Sequence, residues 1–366
     1  MHEHGFDIHR LQEVAARAAD LLMRHGWKVW FWGDSIAFEG LLDAAEWLKE
    51  AKYEAFVYGM MKAWLARRHP SRAWDYTAPG LALLRLFEHT SDPALLRAAK
   101  DHADYLATFR QTEYGAYVRF EDPEFDLPPE LPEQHVGGTA GLATRSGGPC
   151  IFVDNMHFDG PFLAKLYQIT KDSHYRDLAV SNMLPSIRLL FDERYHLFHH
   201  FWSERLRAPN GVFWGRGQGW AMLGMLHTLA QLPEDDPARP KLLEIFQRHS
   251  LAMAALQDPA GHWHTVITDL SSYLEPSIAA FVVDAFSRGV GRGWLSDSSR
   301  PVVDRAFAAL LRSVRQNGQL GGVSYETYPS LHAEHYKTMP REALVPWGQG
   351  PLLSAIRSYA AFNGPS

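Results

Sequence analysis

The run IFVDNMHFDGPFLAKLY, residues 151–167, sets Asp154, His157 and Asp159 within six positions at the start of an apolar stretch. Two carboxylates and an imidazole this close can cap a helix, hold a metal or act as acid and base. Pro161 begins to separate these readings, because proline fits the first turn of a helix but not its interior. Asp159 is therefore the expected cap. Asp154 then lies on the chain entering the helix, or on a helix kinked at the proline. A second acid, Asp75 in WDYTAPGLALL, stands between Trp74 and Tyr76 just ahead of another apolar helical pattern. Two acids at the same end of two helices would project into one cleft, as paired-carboxylate glycosidase chemistry requires; capping is the simpler role for either.

The stretch FWGRGQGWAML interleaves three glycines with Trp214, Arg216, Gln218 and Trp220. It offers two stacking rings beside a planar guanidinium, which pairs with a carboxylate in two places. The plainer reading is an arginine satisfying carbonyls at a helix end. A phosphate-binding loop is a poor alternative, since no Lys-Ser/Thr follows and no strand precedes. The motif HHFWSE reads as a polar cleft edge, with His200 and Trp202 in it. Nineteen histidines raise the question of a metal. His199 and His200 are adjacent, however, so their side chains diverge, and there is no HExxH and no Cys-His set. Neither metal nor other cofactor is expected. The lone Cys150 forms no internal disulfide and reads as an incidental buried thiol.

These residues need elements to position them. Apolar positions recur every three or four residues through most of the chain, as in Leu11, Val14, Ala15, Ala18 and Leu22, or Phe307, Leu310, Leu311 and Val314. Period-two alternation is scarce, so the class is all-α. A loose repeat joins an apolar helix through a polar turn to an amphipathic one: HTSDPALLRAAKDHADYL, ITKDSHYRDLAVSNML, LPEDDPARPKLLEIFQRHSLAM and LSDSSRPVVDRAFAALL. Asp92, Asp172, Asp236 and Asp297 sit where a cap or first-turn acid belongs, with Pro93 and Pro237 early in their helices. Inner helices apolar all round, alternating with outer amphipathic ones, describe an (α/α)6 barrel, and about six hairpins fill the length. Residues 1–366 are read as one barrel domain. The Pro- and Gly-rich 121–149 segment is its candidate lid.

With 46% hydrophobic and 21% charged residues the composition is that of a globular protein. The charge of −6 comes from mixed signs with no basic run, which argues against nucleic-acid and anionic-membrane partners. MHEHGFDIHRLQEV lacks the layout of a signal peptide and no segment is apolar for 18 residues, so a cytoplasmic protein is expected. Twelve Trp, 14 Tyr and 20 Phe fit a sugar-stacking cleft, or simply a large helical core.

VDNMHFDGPFLAKLY, LFHHFWSE, FWGRGQGWAMLGML, LPEDDP, GHWHTV and SYLEPSIAAF follow one another in the order of a known family. From about Tyr53 to GQGPLLSA the chain resembles the unsaturated rhamnogalacturonyl and glucuronyl hydrolases, glycoside hydrolase family 105 and the related family 88. The resemblance implies an (α/α)6 barrel that removes a 4,5-unsaturated uronic acid from the non-reducing end of a lyase-made oligosaccharide. In that chemistry an Asp protonates C4 of the C4=C5 vinyl ether and assists a water at C5. Asp154 matches this Asp, and Asp75 matches the second active-site Asp. His200, Trp214, Arg216 and Trp220 match cleft residues for the unsaturated sugar. Arg119 stands where a cleft histidine is common and Ser203 where an acid often follows, and both bear on the aglycone. Protonating an enol-ether carbon near neutral pH requires Asp154 to hold its proton, so a raised pKa is expected from burial or from Asp75. Two rivals differ in class. A sugar epimerase or isomerase on the same barrel would use paired histidines from His199, His200, His262, His264, His332 and His335; a silent carbohydrate-binding barrel would need no acid at residue 154.

Overall fold

The computed structural model describes residues 7–67, 79–119, 124–125, 145–146 and 148–364. Along the chain, outer and inner helices alternate: α1 (Ile8–Leu22) and α2 (Trp32–Leu48), α3 (Ala51–Ala66) and α4 (Gly80–Thr90), then α5 (Pro93–Leu106). A short helix α6 (Asn155–Phe158) precedes inner α7 (Gly160–Thr170), followed by outer α8 (Ser173–Leu190) and inner α9 (Gly215–Gln231). Outer α10 (Arg239–Ala255), inner α11 (Pro276–Gly291), outer α12 (Arg300–Arg312), a short α13 (Ala333–Lys337) and inner α14 (Pro346–Asn363) complete the set. The inner helices touch in the order α2, α4, α7, α9, α11, α14 and back to α2, which closes an (α/α)6 barrel.

Burial pattern assigns each helix its ring. Outer α5 hides only Leu95, Ala99, His102, Ala103 and Leu106, a three-to-four spacing that covers one face. Inner α11 buries every residue from Pro276 to Ser287, because it meets neighbours on all sides. The last inner helix returns to the first at two glycines: a Cβ on Gly40 would collide with the Gly350 backbone, so α2 and α14 cross at closest approach there.

The repeated turn is a tight hairpin. Ser91 and Lys171 adopt left-handed backbone, with φ of 55° and 60°, at the ends of α4 and α7. Asp92 and Asp172 then accept the Ala94 and His174 amides as N-caps, and Pro93 opens α5. Two positions differ from expectation. The N-cap place of α10 belongs to Ala238; Asp236 accepts the Ala238 amide and pairs with Arg176, while Pro240, not Pro237, is the early proline. Asp297 begins a 3-10 turn capped by Ser296.

The helices are accompanied by short strands on connecting segments: β1 (Glu124–Phe125), β2 (Arg145–Ser146), β3 (Cys150–Phe152), β4 (Phe191–Asp192), β5 (Leu197–Phe198), β6 (Phe201–Ser203) and β7 (Ala208–Pro209). Strands β3, β6 and β7 form one antiparallel sheet in that order. Apart from β1, β2 and residues 148–149, the 121–149 segment read as a lid lies outside the described residues.

Past the middle of the inner helices, toward their C-terminal ends, the axis holds an ionic plug beside a cavity of about 250 Å³. Burial alone would raise the Asp43 carboxyl, but Arg85, Arg288 and Arg357 surround it and hold it well below the usual carboxylate range. These guanidiniums also pair with Glu46 and Asp284, so the plug is compensated internally. The candidate residues Asp154, Trp214 and Arg216 lie at the opposite end, where the inner helices begin.

Candidate active site

Strand pairing brings the first two residues together. In the β3–β6 ladder Phe152 faces Phe201, and one step further the Val153 amide donates to the His200 carbonyl at 3.0 Å. This register sets Asp154, at the start of α6, beside His200. The Asp154 carboxylate does not cap α6. Its Oδ2 is sealed from solvent with no hydrogen-bond partner and stands 3.8 Å from His200 Nε2, while 23% of the side chain stays open. Burial pushes the Asp154 carboxyl up to about 7, against weaker opposing effects from its own backbone amide, Arg216 and His157. The expected upward shift is thus found with burial as its largest cause; Asp75, the other expected cause, lies outside the described residues.

His200 is 3% exposed, and burial, together with the Arg216 and His335 charges, pushes it down to about 3. It is a neutral imidazole at any ordinary pH. Its Nδ1 meets the Tyr336 hydroxyl at 2.6 Å, and its ring lies 4.5 Å from that of Trp214. His199 turns the other way, stacked on Phe213 with Nε2 3.4 Å from Asp192. The two neighbours, on the link between β5 and β6, diverge as expected.

Arg216 enters the site from the first turn of α9, and its guanidinium is held by the protein itself. Nη1 donates to the Ser324 carbonyl and hydroxyl at 3.1 and 2.7 Å; Nη2 donates to the Tyr325 carbonyl and Thr327 hydroxyl, both at 3.0 Å. Glu275, also buried, lies 3.6 Å away and accepts the Ser324 amide at 2.9 Å. With both Nη groups occupied, the guanidinium offers no open fork to a ligand carboxylate. It and Glu275 clamp segment 324–327 at the mouth of the barrel, and its charge sits 4.8 Å over the Trp214 ring.

Four other expected contact residues are buried. Arg119 donates to Asp159, the Leu106 carbonyl and Asn182, and its side chain is closed to solvent. Asp159 is at the N-cap position of α7, as expected, but makes no capping bond because Arg119 takes its carboxylate. Trp220 is 0% exposed, enclosed by Trp32, His157, Phe158 and Phe281, and forms the floor of the site. Trp202 is buried edge-on to Tyr114. Trp214 too is buried, between Arg216 and His200. Asp75 and Trp74 lie outside the described residues.

The rings with accessible surface are ones the sequence reading passed over. Trp32 is half-buried over Trp347 at 4.4 Å, and Tyr325 is 47% exposed, edge-on to Trp347 at 5.8 Å. A signal for this wall was present: Trp32-Gly33, Trp214-Gly215 and Trp347-Gly348 each stand at the start of an inner helix. Gly33 is required there because a Cβ would come within 2.6 Å of the Trp347 ring. His157 is buried one turn below Asp154, with Nε2 3.4 Å from Glu39.

Among the described residues no group of three or more His, Cys, Asp or Glu is arranged to hold a metal ion. No described helix is long and apolar enough to cross a membrane.

Comparison with known proteins agrees with this geometry. The profile of Glycosyl Hydrolase Family 88 matches residues 8–362. The unsaturated rhamnogalacturonyl hydrolase YesR of Bacillus subtilis is 25% identical over 332 residues, spanning 89% of this chain and 88% of that protein. A crystal structure described as a possible member of family GH105, from Salmonella enterica, superposes with a TM-score of 0.85 at 19% identity, covering 99% of this chain and 96% of the other. The unsaturated glucuronyl hydrolase of Bacillus sp. GL1 superposes with a TM-score of 0.68 at 18% identity over 95% and 94% of the two chains. A family match over nearly the whole length and a closed helical barrel lead to one conclusion: this chain belongs to glycosyl hydrolase family 88.

Proposed function

We propose that the protein removes a 4,5-unsaturated uronic acid from the non-reducing end of an oligosaccharide, by hydrating the C4=C5 bond. The carrying observation is Asp154, a carboxyl that burial holds half-protonated near pH 7 beside a neutral imidazole. Asp154 gives its proton to C4, leaving cationic character at C5 and the ring oxygen. Water adds to C5, and its proton goes to the Asp154 carboxylate, which regenerates the acid. The resulting C5 hemiketal opens, and the hemiacetal left at C1 expels the aglycone. One carboxyl thus gives a proton to C4 and recovers another from the attacking water, so the cycle does not depend on a second acid of matched pKa.

The substrate is an oligosaccharide ending in an unsaturated uronate. Rhamnogalacturonan fragments are the first to assay, because the relative aligned over most of the chain is named for that substrate. We take the chain to act as one catalytic unit in the cytoplasm, an assignment supported by a single cysteine. The test follows the ultraviolet absorbance of the conjugated uronate in lyase-digested pectin. Wild-type protein is expected to abolish it. Binding of the digest with no loss of absorbance, across pectin, heparinoid and ulvan digests, overturns the proposal.

A further inference from the structure

The phenol of Tyr336, on α13, lies under His200 with more hydrogen-bonding neighbours than one hydroxyl can serve equally. His200 Nδ1 is at 2.6 Å, Asn210 Nδ2 at 3.2 Å, the Ser330 carbonyl at 3.3 Å and the Ser330 amide at 3.4 Å. Tyr336, His200, Asn210 and Ser330 are all buried, so each proton must be accounted for.

Asn210 fixes the direction of the network. Its Oδ1 faces the Val212 and Phe201 amides at 3.4 and 3.5 Å, so that end accepts. Its Nδ2 therefore donates, to the Ser330 carbonyl at 3.0 Å and to the Tyr336 oxygen. The reverse amide orientation would set NH2 against two N–H groups. With Asn210 and the Ser330 amide both donating to the phenol oxygen, its two lone pairs are engaged and it has only its own proton to give. The Ser330 carbonyl is already served by Asn210. The shortest contact, to His200 Nδ1, receives the phenol proton. Burial keeps the phenol protonated far above neutral pH, and His200 is neutral, so Nδ1 accepts and the remaining imidazole proton sits on Nε2.

We propose that Tyr336, oriented by Asn210, is a positioning residue that locks His200 in its Nε2–H tautomer, presenting a donor rather than an acceptor toward Asp154. The gap of 3.8 Å is too long for a direct hydrogen bond, which leaves the Asp154 proton uncommitted. The other tautomer would aim a lone pair at Asp154 and, on any closer approach, compete with the substrate carbon as an acceptor for its carboxyl proton. After proton transfer the same Nε2–H faces a carboxylate and steadies it. The catalytic consequence rests on Asp154 being the proton donor; the tautomer assignment does not.

The test is ¹⁵N–¹H long-range correlation of ¹⁵N-histidine-labelled protein, with the His200 signals assigned by their loss in His200→Gln. The expected result in wild type is an Nε2–H pattern that persists from pH 5 to 8. Tyr336→Phe is expected to keep the fold, populate the Nδ1–H tautomer and lower kcat about tenfold, with KM changed by less than about twofold, the size of one hydrogen bond lost at a reacting group. A wild-type His200 protonated on Nδ1 overturns the proposal, and does so even if Tyr336→Phe fails to fold. An unchanged kcat in folded Tyr336→Phe overturns it equally. If Asp154→Asn retains activity while the tautomer is as expected, it is the Asp154 mechanism that fails instead.

Discussion

Asp154 Oδ2 and His200 Nε2 face each other across 3.8 Å, one carboxyl raised by burial and one imidazole lowered by it. The same low-dielectric pocket therefore favours the uncharged form of both groups, the order of affinities a proton donor needs.

The pH profile follows from which form works. The active form is protonated Asp154, so kcat/KM is expected to stay level through the acidic range and fall about tenfold per unit above about pH 7. His200 stays neutral down to about 3 and adds no limb in between. A rate that rises through pH 7 would mean that ionised Asp154 is the working form.

Asp154→Asn is expected to lose at least about 10²-fold in turnover, the ordinary worth of a positioned acid, while keeping its helical circular dichroism. Near-normal turnover by this variant refutes the mechanism.

The same substitution should stabilise the fold at high pH. Asp154 is easier to ionise unfolded than folded, so its ionisation costs stability progressively as pH rises from about 4 to about 7 and fully above that. A shift of about three units corresponds to at most about 4 kcal/mol. Denaturant unfolding should show Asp154→Asn more stable than wild type by about 2–4 kcal/mol at pH 8, with the difference vanishing near pH 4. Equal stability of the two proteins at pH 8 would show that the carboxylate is solvated in the folded state.

Arg216→Ala leaves Glu275 buried without its counter-charge and releases the clamp on segment 324–327. Breaking one side of a buried pair typically costs about 3–5 kcal/mol. Urea unfolding measures this, and a loss of activity at full stability would instead assign Arg216 to ligand binding.

Two glycine substitutions should act in opposite directions. Gly40→Ala forces α2 away from α14 and is expected to cost about 1–3 kcal/mol or more. Gly59 lies exposed within α3 with nothing near a new Cβ, so Gly59→Ala should gain up to about 1 kcal/mol. Thermal unfolding of the two variants gives the comparison, and equal shifts would refute the assigned crossing.

The barrel was legible because periodicity is a local property. An inner helix must be apolar all round and an outer one on a single face, and that difference is written within each segment, as α11 and α5 show. The hairpin turns at Asp92 and Asp172 were equally readable, since an N-cap and its amide are two residues apart. Within the site, Asp154, His200, Trp214 and Arg216 do meet, as their motifs implied. The roles of Arg119 and Arg216 were not legible. A guanidinium looks the same in sequence whether it meets a ligand or a carbonyl, and only the approach of Asp159 or of segment 324–327 decides between them.

The sequence by itself determined the helices, their inner or outer place, and the acid whose chemistry fits the family. Tertiary structure decided what state that acid is in. Burial raises the Asp154 carboxyl to about 7, and the His200 beside it meets the hydroxyl of a tyrosine 136 positions along the chain. Neither desolvation nor a contact at that separation is encoded in any local run of residues; both arise only when the barrel closes.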